Sequence, residues 1–448
     1  SALYQLELSR REISSGSLPY GLQILLSMAP GSLYKSDPLA LSNVDEALAN
    51  LKERIKDKNY LTGLVDKFFI SNNHKVELEM VPDADLINKK EGELRKILDG
   101  LKSAMSNKEK LDIVNQAKNL ADRQNAIPDK EVLPKLELND VPKDVSFPKT
   151  KKLTTFGYSP TFYEQPTNGL TYNSVTKNLN IESQEELNSL MVLSALLGKV
   201  GTDDKDHMQL QKEISKISGG INVSNHFFTD KNNELKGNLT LSSKFLPKNS
   251  VETTELIFEI LNKTDLSNEQ RIKELMFQNF MGFQQSIVEN GHRFAMLAAS
   301  SAHNNLAFIQ ENLGGLSAIS KFAPFVSNQE DLLKTEMQKV ESLFKKFESM
   351  SSELLFISNT KLDKKQINQI RGLDFKKDGS GSVNVDFVKT FNKIAFPINT
   401  QVNFSAMSFD APHYDVKESP KYLILSSLLR NEFPVSYTHL TLPTKRIV

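Results

Sequence analysis

Between residues 208 and 262 the hydropathy changes period twice, and that change restricts the fold more than any other feature of the chain. Met208–Ile217 repeats at helical spacing and stops at Gly219-Gly220. Ile221–Phe228 and Glu234–Leu241 then alternate apolar with polar residues, the pattern of strands with one buried face, and Asp230–Asn233 supplies a polar turn between them. Glu252–Asn262 returns to the helical period. Paired strands set inside runs of helices predict an α+β layer, not a doubly wound parallel sheet.

The flanking sequence extends the pattern. Ser183-Gln-Glu-Glu186 has the form of a capping box and precedes a helical stripe of Leu187, Leu190, Met191, Leu193, Leu197 and Val200. A long helix is predicted over Glu269–Glu289 and another over His292–Asn304, closing before Gly314-Gly315. Residues 146–330 thus form the clearest domain.

Upstream, residues 1–84 predict a helix at Leu3–Ile13, a Gly/Ser/Pro stretch at Ser14–Gly21, an apolar helix at Leu22–Met28 and a helical period through Leu48, Leu51 and Ile55. His74–Val81 alternates, with Val76, Leu78 and Met80 on one face, and predicts a half-buried strand ended by Pro82-Asp83. In 85–145, one stripe runs through Leu94, Ile97, Leu98, Leu101 and Met105, and a second through Leu111, Val114, Ala117 and Ala121. With a break at Asn107 between them, they predict an antiparallel helical hairpin. Pro128, Pro134, Pro142 and Pro148 mark an extended linker after it.

Downstream, residues 331–433 predict a helix at Leu332–Phe347, strands at Glu353–Asn359 and Gln401–Ser408, a mobile polar loop at Lys376–Asp386, and a helix starting near Tyr422 that Pro434 cuts. Pro434–Val448 departs from the pattern. It reads as a non-native, adapter-derived tail and is set aside from fold reasoning.

Composition excludes several functions. Length alone, 448 residues, suggests two to four domains. Lys+Arg and Asp+Glu balance at 55 each, so no global basic field attracts nucleic acid or an anionic membrane. The absence of Cys removes disulfides, thiolate metal sites and a thiol nucleophile. The longest apolar run, Leu22–Met28, is interrupted by Gln23 and Ser27, far short of the roughly 20 residues a bilayer requires. Ser1–Glu12 has no signal-peptide pattern and no initiating Met, so the chain is read as cut at its front as well as its back.

Histidine decides the chemistry. The seven are His74, His207, His226, His292, His303, His413 and His439, and no two stand one helical turn apart with a Glu between them, as H-E-x-x-H or H-x-x-E-H zinc sites need. Glu289 and His292 are three apart, but Asn290-Gly291 breaks the helix there, and His292 reads as a helix start. Asp203–His207 is an acidic cluster that reads as a solvated entry into a helix rather than a cation site. No G-x-S-x-G elbow is present, and Gly379-Ser-Gly-Ser382 lacks the residues and context of a phosphate loop. Phe277, Phe280 and Phe283 share one helix and read as core, with a peptide-binding wall as the sharper alternative.

In order, several stretches carry a resemblance. They are Tyr4-Gln-Leu-Glu-Leu-Ser-Arg-Arg-Glu12, Leu18-Pro-Tyr-Gly-Leu22, Ser36-Asp-Pro38, and His74–Val81 with Pro82-Asp83. Leu196-Leu-Gly-Lys-Val-Gly-Thr202, Ser218-Gly-Gly-Ile-Asn-Val-Ser224, Ser286–Arg293, Thr400-Gln-Val-Asn403 and Leu428-Leu-Arg-Asn431 follow. From Ala2 to Phe433 the chain resembles the presequence-protease branch of the pitrilysin/insulinase zinc metallopeptidases. The resemblance implies repeated pitrilysin-type α/β-roll units, paired into two halves by a long helical hairpin and closing around a peptide chamber. It makes 1–84 the end of a second unit, 85–145 the hairpin and linker, 146–330 a third, non-catalytic unit, and 331–433 the start of a fourth.

In that family the first unit holds zinc through H-x-x-E-H and a downstream Glu, so zinc belongs to a full-length parent and none to this chain. The family's distal Arg and Tyr fall just past Asn431, where the tail replaces them. No catalytic, cofactor-binding or metal residue can therefore be assigned here. The helix Glu185–Val200 stands where the first unit carries its zinc helix, with Leu, Met and Ser in place of His and Glu, and such groups cannot hold a divalent ion tightly.

The resulting expectation is a fragment of a zinc endopeptidase that degrades short unfolded peptides, supplying chamber wall and substrate contacts, with peptides and the missing N-terminal half as partners. The alternative is a non-catalytic partner subunit of a two-chain peptidase. The compartment is open between bacterial cytoplasm or periplasm and an organelle matrix. Unpartnered apolar surface is also expected, because the fourth unit stops mid-fold.

Overall fold

In the computed structural model the described residues are 2–13, 18–34, 37, 43–125, 137–144, 147, 150–152, 160–327, 330–371, 373, 381–387, 395–398, 402–412 and 416–432. The chain divides into two compact units, Ser1–Leu48 with Pro148–Val448, and Ala49–Phe147. Helices α1 (Ala2–Arg11), α2 (Tyr20–Leu33) and α3 (Val44–Arg54) open it. Pro434–Val448, Ser14–Ser17, Pro128, Pro134 and Pro148 of the sequence reading lie outside the described residues.

Ala49–Phe147 contains α4 (Lys58–Val65), a π turn over Asp66–Ile70, α5 (Leu86–Ala104), α6 (Asn107–Asn125) and a short 3-10 turn at Leu138–Asp140. Ser106 separates the two long helices. Its hydroxyl accepts from Glu109 N at 3.3 Å while its own N–H donates to Glu109 Oε2 at 2.8 Å, a reciprocal cap. Neither helix buries a residue, and the stripes around Ile97 and Val114 face solvent. The strand predicted at His74–Val81 is absent. Those residues are irregular, with Val76 91% and Met80 85% exposed. Alternation creates a face to bury, but a strand also needs a neighbouring ladder, and among the described residues none lies beside this segment.

The other unit is built on a six-stranded sheet: β1 (Thr150–Lys152), β2 (Thr161–Glu164), β3 (Thr171–Asn178), β4 (Ile221–Thr229), β5 (Leu235–Phe245) and β6 (Ser352–Ser358). Its order is β1-β2-β6-β3-β5-β4, antiparallel throughout except for the parallel β2–β6 pair. The predicted hairpin is present, with Val223 opposite Leu241, and β5 runs four residues further than expected. The chain is α+β, as its periods implied. The strand from beyond residue 330, β6, is inserted between β2 and β3, so the sheet draws on both sides of that position.

Strands β2 and β3 were not legible in the sequence, and β3 shows why. Its inward residues include Thr171, Asn173 and Lys177, so its buried face is largely polar. Each finds a partner: Thr171 Oγ1 lies 3.0 Å from Ser358 Oγ, and Asn173 Nδ2 donates to Thr254 Oγ1 at 3.1 Å, while Asn173 Oδ1 is buried without one. Lys177 Nζ donates to the carbonyls of Phe347 and Met350 at 3.2 and 3.4 Å, at a helix C-terminus where a cation is favoured.

Helices cover the sheet: α7 (Gln184–Leu196), α8 (His207–Ile217), α9 (Ser250–Lys263), α10 (Glu269–Glu289), α11 (Gly291–Ser301), α12 (Asn305–Gly314), a 3-10 segment Leu316–Phe322, α13 (Ala323–Val326), α14 (Glu330–Phe347), α15 (Lys364–Arg371) and, near the end, α16 (Ser419–Glu432). The core joins Leu190, Leu193 and Leu196 of α7 with Leu239 and Leu241 of β5, Ile257 and Ile260 of α9, Val340 and Phe347 of α14, and Phe356 of β6. Each such side chain stabilises the fold by roughly 1.5–3 kcal/mol on burial. Ser183 caps α7 through Glu186 N at 3.1 Å, while Glu186 Oε2 accepts from Glu182 N rather than from the cap residue. The helix ends near Leu197, with Gly198 at φ +73°, a conformation that glycine adopts without steric cost.

Helix α1 is fastened to residues more than two hundred positions away. Tyr4 Oη donates to Ile217 O at 2.6 Å and accepts from Leu246 N and Asn249 Nδ2. Gln5 Nε2 donates to Ser215 O and Ser218 O, closing the C-terminus of α8, and Leu8 is buried beside them. The predicted strand Gln401–Ser408 is a second correction. Residues 402–412 have no ladder and instead lie against α11, where Phe404 packs on Gly291. The loop predicted to be mobile is described over 381–387 only. There Val383 bridges to Ile181 and both Val383 and Val385 are buried, so that part is anchored.

Candidate functional site

A cavity of about 1160 Å³ is bounded by β4, α11, α12 and the segment 402–412. Its walls follow from a local break in the helices. Helix α10 ends at Glu289, Asn290 leaves helical geometry, and α11 starts at Gly291. A Cβ on Gly291 would lie 2.3 Å from the Phe404 ring, so only glycine lets the 402–412 segment cross here. Ser408 then fastens the segment: its hydroxyl donates to Ala299 O at 2.8 Å and contacts His303 Nε2. The hydroxyl has a single proton and spends it on the carbonyl, so His303 must donate from Nε2. That direction of bonding is the reverse of nucleophile activation, and the Ser–His pair holds the wall together rather than performing acyl transfer.

Asn225, His226, Arg293, Ser300, Gln310 and Asp410 bring polar groups to this cavity. Asn225 is oriented by Ser194, with its Nδ2 2.8 Å from the hydroxyl, and the His226 ring lies 5.7 Å from that of Phe228. A second cavity, about 430 Å³, is lined by Met191 and Ala195 of α7, Met276, Gly282 and Phe283 of α10, and Phe322. Leu313 lines both cavities. Of the phenylalanines singled out in the sequence, Phe280 and Phe283 pack on the core, Phe283 also lines the smaller cavity, and Phe277 is exposed.

The remaining candidates are dispersed. His292 is exposed, with its ring 6.3 Å from Phe404, and Glu289 accepts from Gln285 at 2.8 Å. In the acidic cluster, Asp206 is the N-cap of α8, accepting from Met208 N and Gln209 N at 2.8 Å each. Lys205 pairs with Glu259 and Glu213, and Asp204 with Lys263. His207 begins that helix, and His74 is exposed in the Ala49–Phe147 unit. His413 and His439 lie outside the described residues. Among the described residues, no three His, Asp or Glu side chains gather in a group able to hold a metal ion. Helix α7 presents Leu190, Met191, Leu193 and Ser194, and these do not fit a zinc ion.

Two titratable groups on neighbouring segments were missed in the sequence. Glu311, on the last turn of α12, accepts from Ser317 N at 3.1 Å and so caps the 3-10 segment. Burial pushes its carboxyl above the usual range, against the hydrogen bonds from Ser317. Lys321 donates to Asn312, and burial lowers it to about 8, against the attraction of Glu311. No sequence period marks these groups, because they come within electrostatic reach of each other only after the chain turns at Gly315.

The described residues thus form an α+β layer with two cavities, and their histidines are dispersed over separate elements. The profile for the associated region of peptidase family M16, subfamily C, matches residues 80–323, and the chain belongs to that family and to the presequence-protease branch that its motifs resemble. It is 29% identical over 322 residues to Protein HypA of Clostridium perfringens, covering 70% of this chain and 33% of that protein. It is 25% identical to Presequence protease 1, chloroplastic/mitochondrial, of Arabidopsis thaliana, over 71% of this chain and 30% of the relative. It is 23% identical to the mitochondrial presequence protease of Schizosaccharomyces pombe, over 96% of this chain and 44% of the relative. The chain therefore spans about a third to under a half of these relatives. No described helix is long and apolar enough to cross a membrane.

Proposed function

We propose that this chain is a non-catalytic portion of a zinc metalloendopeptidase that degrades short unfolded peptides, and that it supplies chamber wall and substrate contacts. The observation that carries the reading is the pairing of a family match over residues 80–323 with a helix α7 that holds no His and whose two carboxylates, Glu185 and Glu186, are engaged by Lys339 and Lys346. In the repeated-unit organisation that the resemblance implies, residues 146–330 are a third unit whose sheet is completed by β6. Zinc and bond cleavage then belong to sequence upstream of Ser1, and peptides and that upstream portion are the partners. Relatives named for mitochondria and chloroplasts, with a bacterial one beside them, favour an organelle matrix or a bacterial compartment.

The test has two arms. Source DNA read upstream of Ser1 should encode H-x-x-E-H in frame, and the purified chain mixed with zinc and an unstructured peptide should yield no cleavage products. Chelator-sensitive turnover by this chain alone overturns the proposal, as does a complete gene without the motif.

A further inference from the structure

Resting on that reading, we infer that the two adjoining cavities form one two-part peptide site: the larger takes a carboxylate of an extended peptide at Arg293, and the smaller takes an apolar side chain. Arg293 is exposed on the first turn of α11, lines the larger cavity, and has no ion pair or side-chain hydrogen bond among the described residues. Among the described residues it is the one Lys or Arg in that lining, and its fork of N–H donors matches a carboxylate. The same lining holds the neutral hydrogen-bonding groups of Asn225, Ser300 and Gln310, suited to peptide amides, and one carboxylate, Asp410, which has an interaction of its own.

Three observations argue for a polypeptide occupant. The larger cavity, about 1160 Å³, exceeds the space of an ordinary metabolite site. Strand β4 contributes Asn225, His226 and Phe227 to its wall and lies at the edge of the sheet, where an extended chain can run beside a strand. The second cavity adjoins at Leu313 and is lined by Met191, Ala195, Met276, Phe283 and Phe322, so a chain held in the polar half can bury an apolar side chain in the other.

Gly282 provides the sharpest test. It lies inside α10, lines the smaller cavity, and a Cβ placed on it meets nothing within 4 Å. A larger residue there fills the cavity and also suits the helix better than glycine, so folding is preserved. Fluorescence anisotropy on the 448-residue chain would compare labelled decapeptides. One has a free C-terminal carboxylate and a central Phe, one the same sequence amidated, one amidated with a single Glu, and one has Ala for Phe. Arg293→Gln should weaken the carboxylate peptides about tenfold and leave the amidated, acid-free peptide unchanged. The Glu-bearing arm tells a side-chain carboxylate from the C-terminal one. Gly282→Leu should weaken the Phe peptide several-fold and spare the Ala peptide. Equal affinities across the peptides, indifference to both substitutions, or no binding at all overturns the site. None of these outcomes touches the upstream H-x-x-E-H arm, which decides the parent reading separately.

Discussion

Lys321 shows how a single buried group ties stability to pH. Its folded value of about 8 lies below the ordinary 10.5. Between those two values the unfolded chain still holds a proton that the folded chain has released, so raising the pH through that window favours the folded state. Below about pH 8 the cost of holding the charge is fully present. Urea denaturation of the wild type and of Lys321→Met should therefore show the wild type gaining relative to the variant from about pH 8 to about pH 10.5. A constant difference across that range would show that Lys321 keeps its ordinary value when folded. Individual residues were the least legible scale in the sequence. Thr171, Asn173 and Lys177 are of types mostly found at surfaces, yet they point inward, because their partners, Ser358, Thr254 and the carbonyls of Phe347 and Met350, lie far along the chain.

Among the elements, those with a clean period were found where the sequence put them: α8, α9, α10, α14 and the β4–β5 hairpin. Two alternating segments, His74–Val81 and Gln401–Ser408, did not become strands, because pairing depends on a neighbour that local pattern does not report. The start of α8 illustrates the opposite, a local signal with a local cause. Asp206 takes two early N–H groups of that helix, so Asp206→Ala should cost about 1 kcal/mol in thermal or urea unfolding. Asp203→Ala, on the same acidic run but outside the cap, should stay within about 0.5 kcal/mol of wild type. Equal losses for the two would assign the effect to the charge of the cluster rather than to the cap. The candidate site was only partly readable in the same way. His303 and Arg293 were visible as residues, but the cavity that joins them is made by the 402–412 segment crossing Gly291.

For the whole molecule, the tie between α1 and the α8–β5 region links the start of the chain to the middle of the sheet-bearing unit's sequence. Tyr4→Phe removes a hydrogen-bond partner from each of Ile217 O, Leu246 N and Asn249 Nδ2. It should lower stability by about 1–3 kcal/mol, shifting the urea midpoint with an unchanged slope. An unshifted midpoint would mean that α1 contributes nothing to the cooperative unit. The position of β6 has a consequence for birth on the ribosome. The β3–β5–β4 ladder can close once residue 245 has emerged, but β2 and β3 must then wait for over a hundred further residues before their shared neighbour arrives. Throughout that interval the nascent chain displays an open ladder beside an unfinished core, the state in which wrong partners are captured. Residues 246 to 351 thus separate the first closed ladder from the strand that completes the sheet.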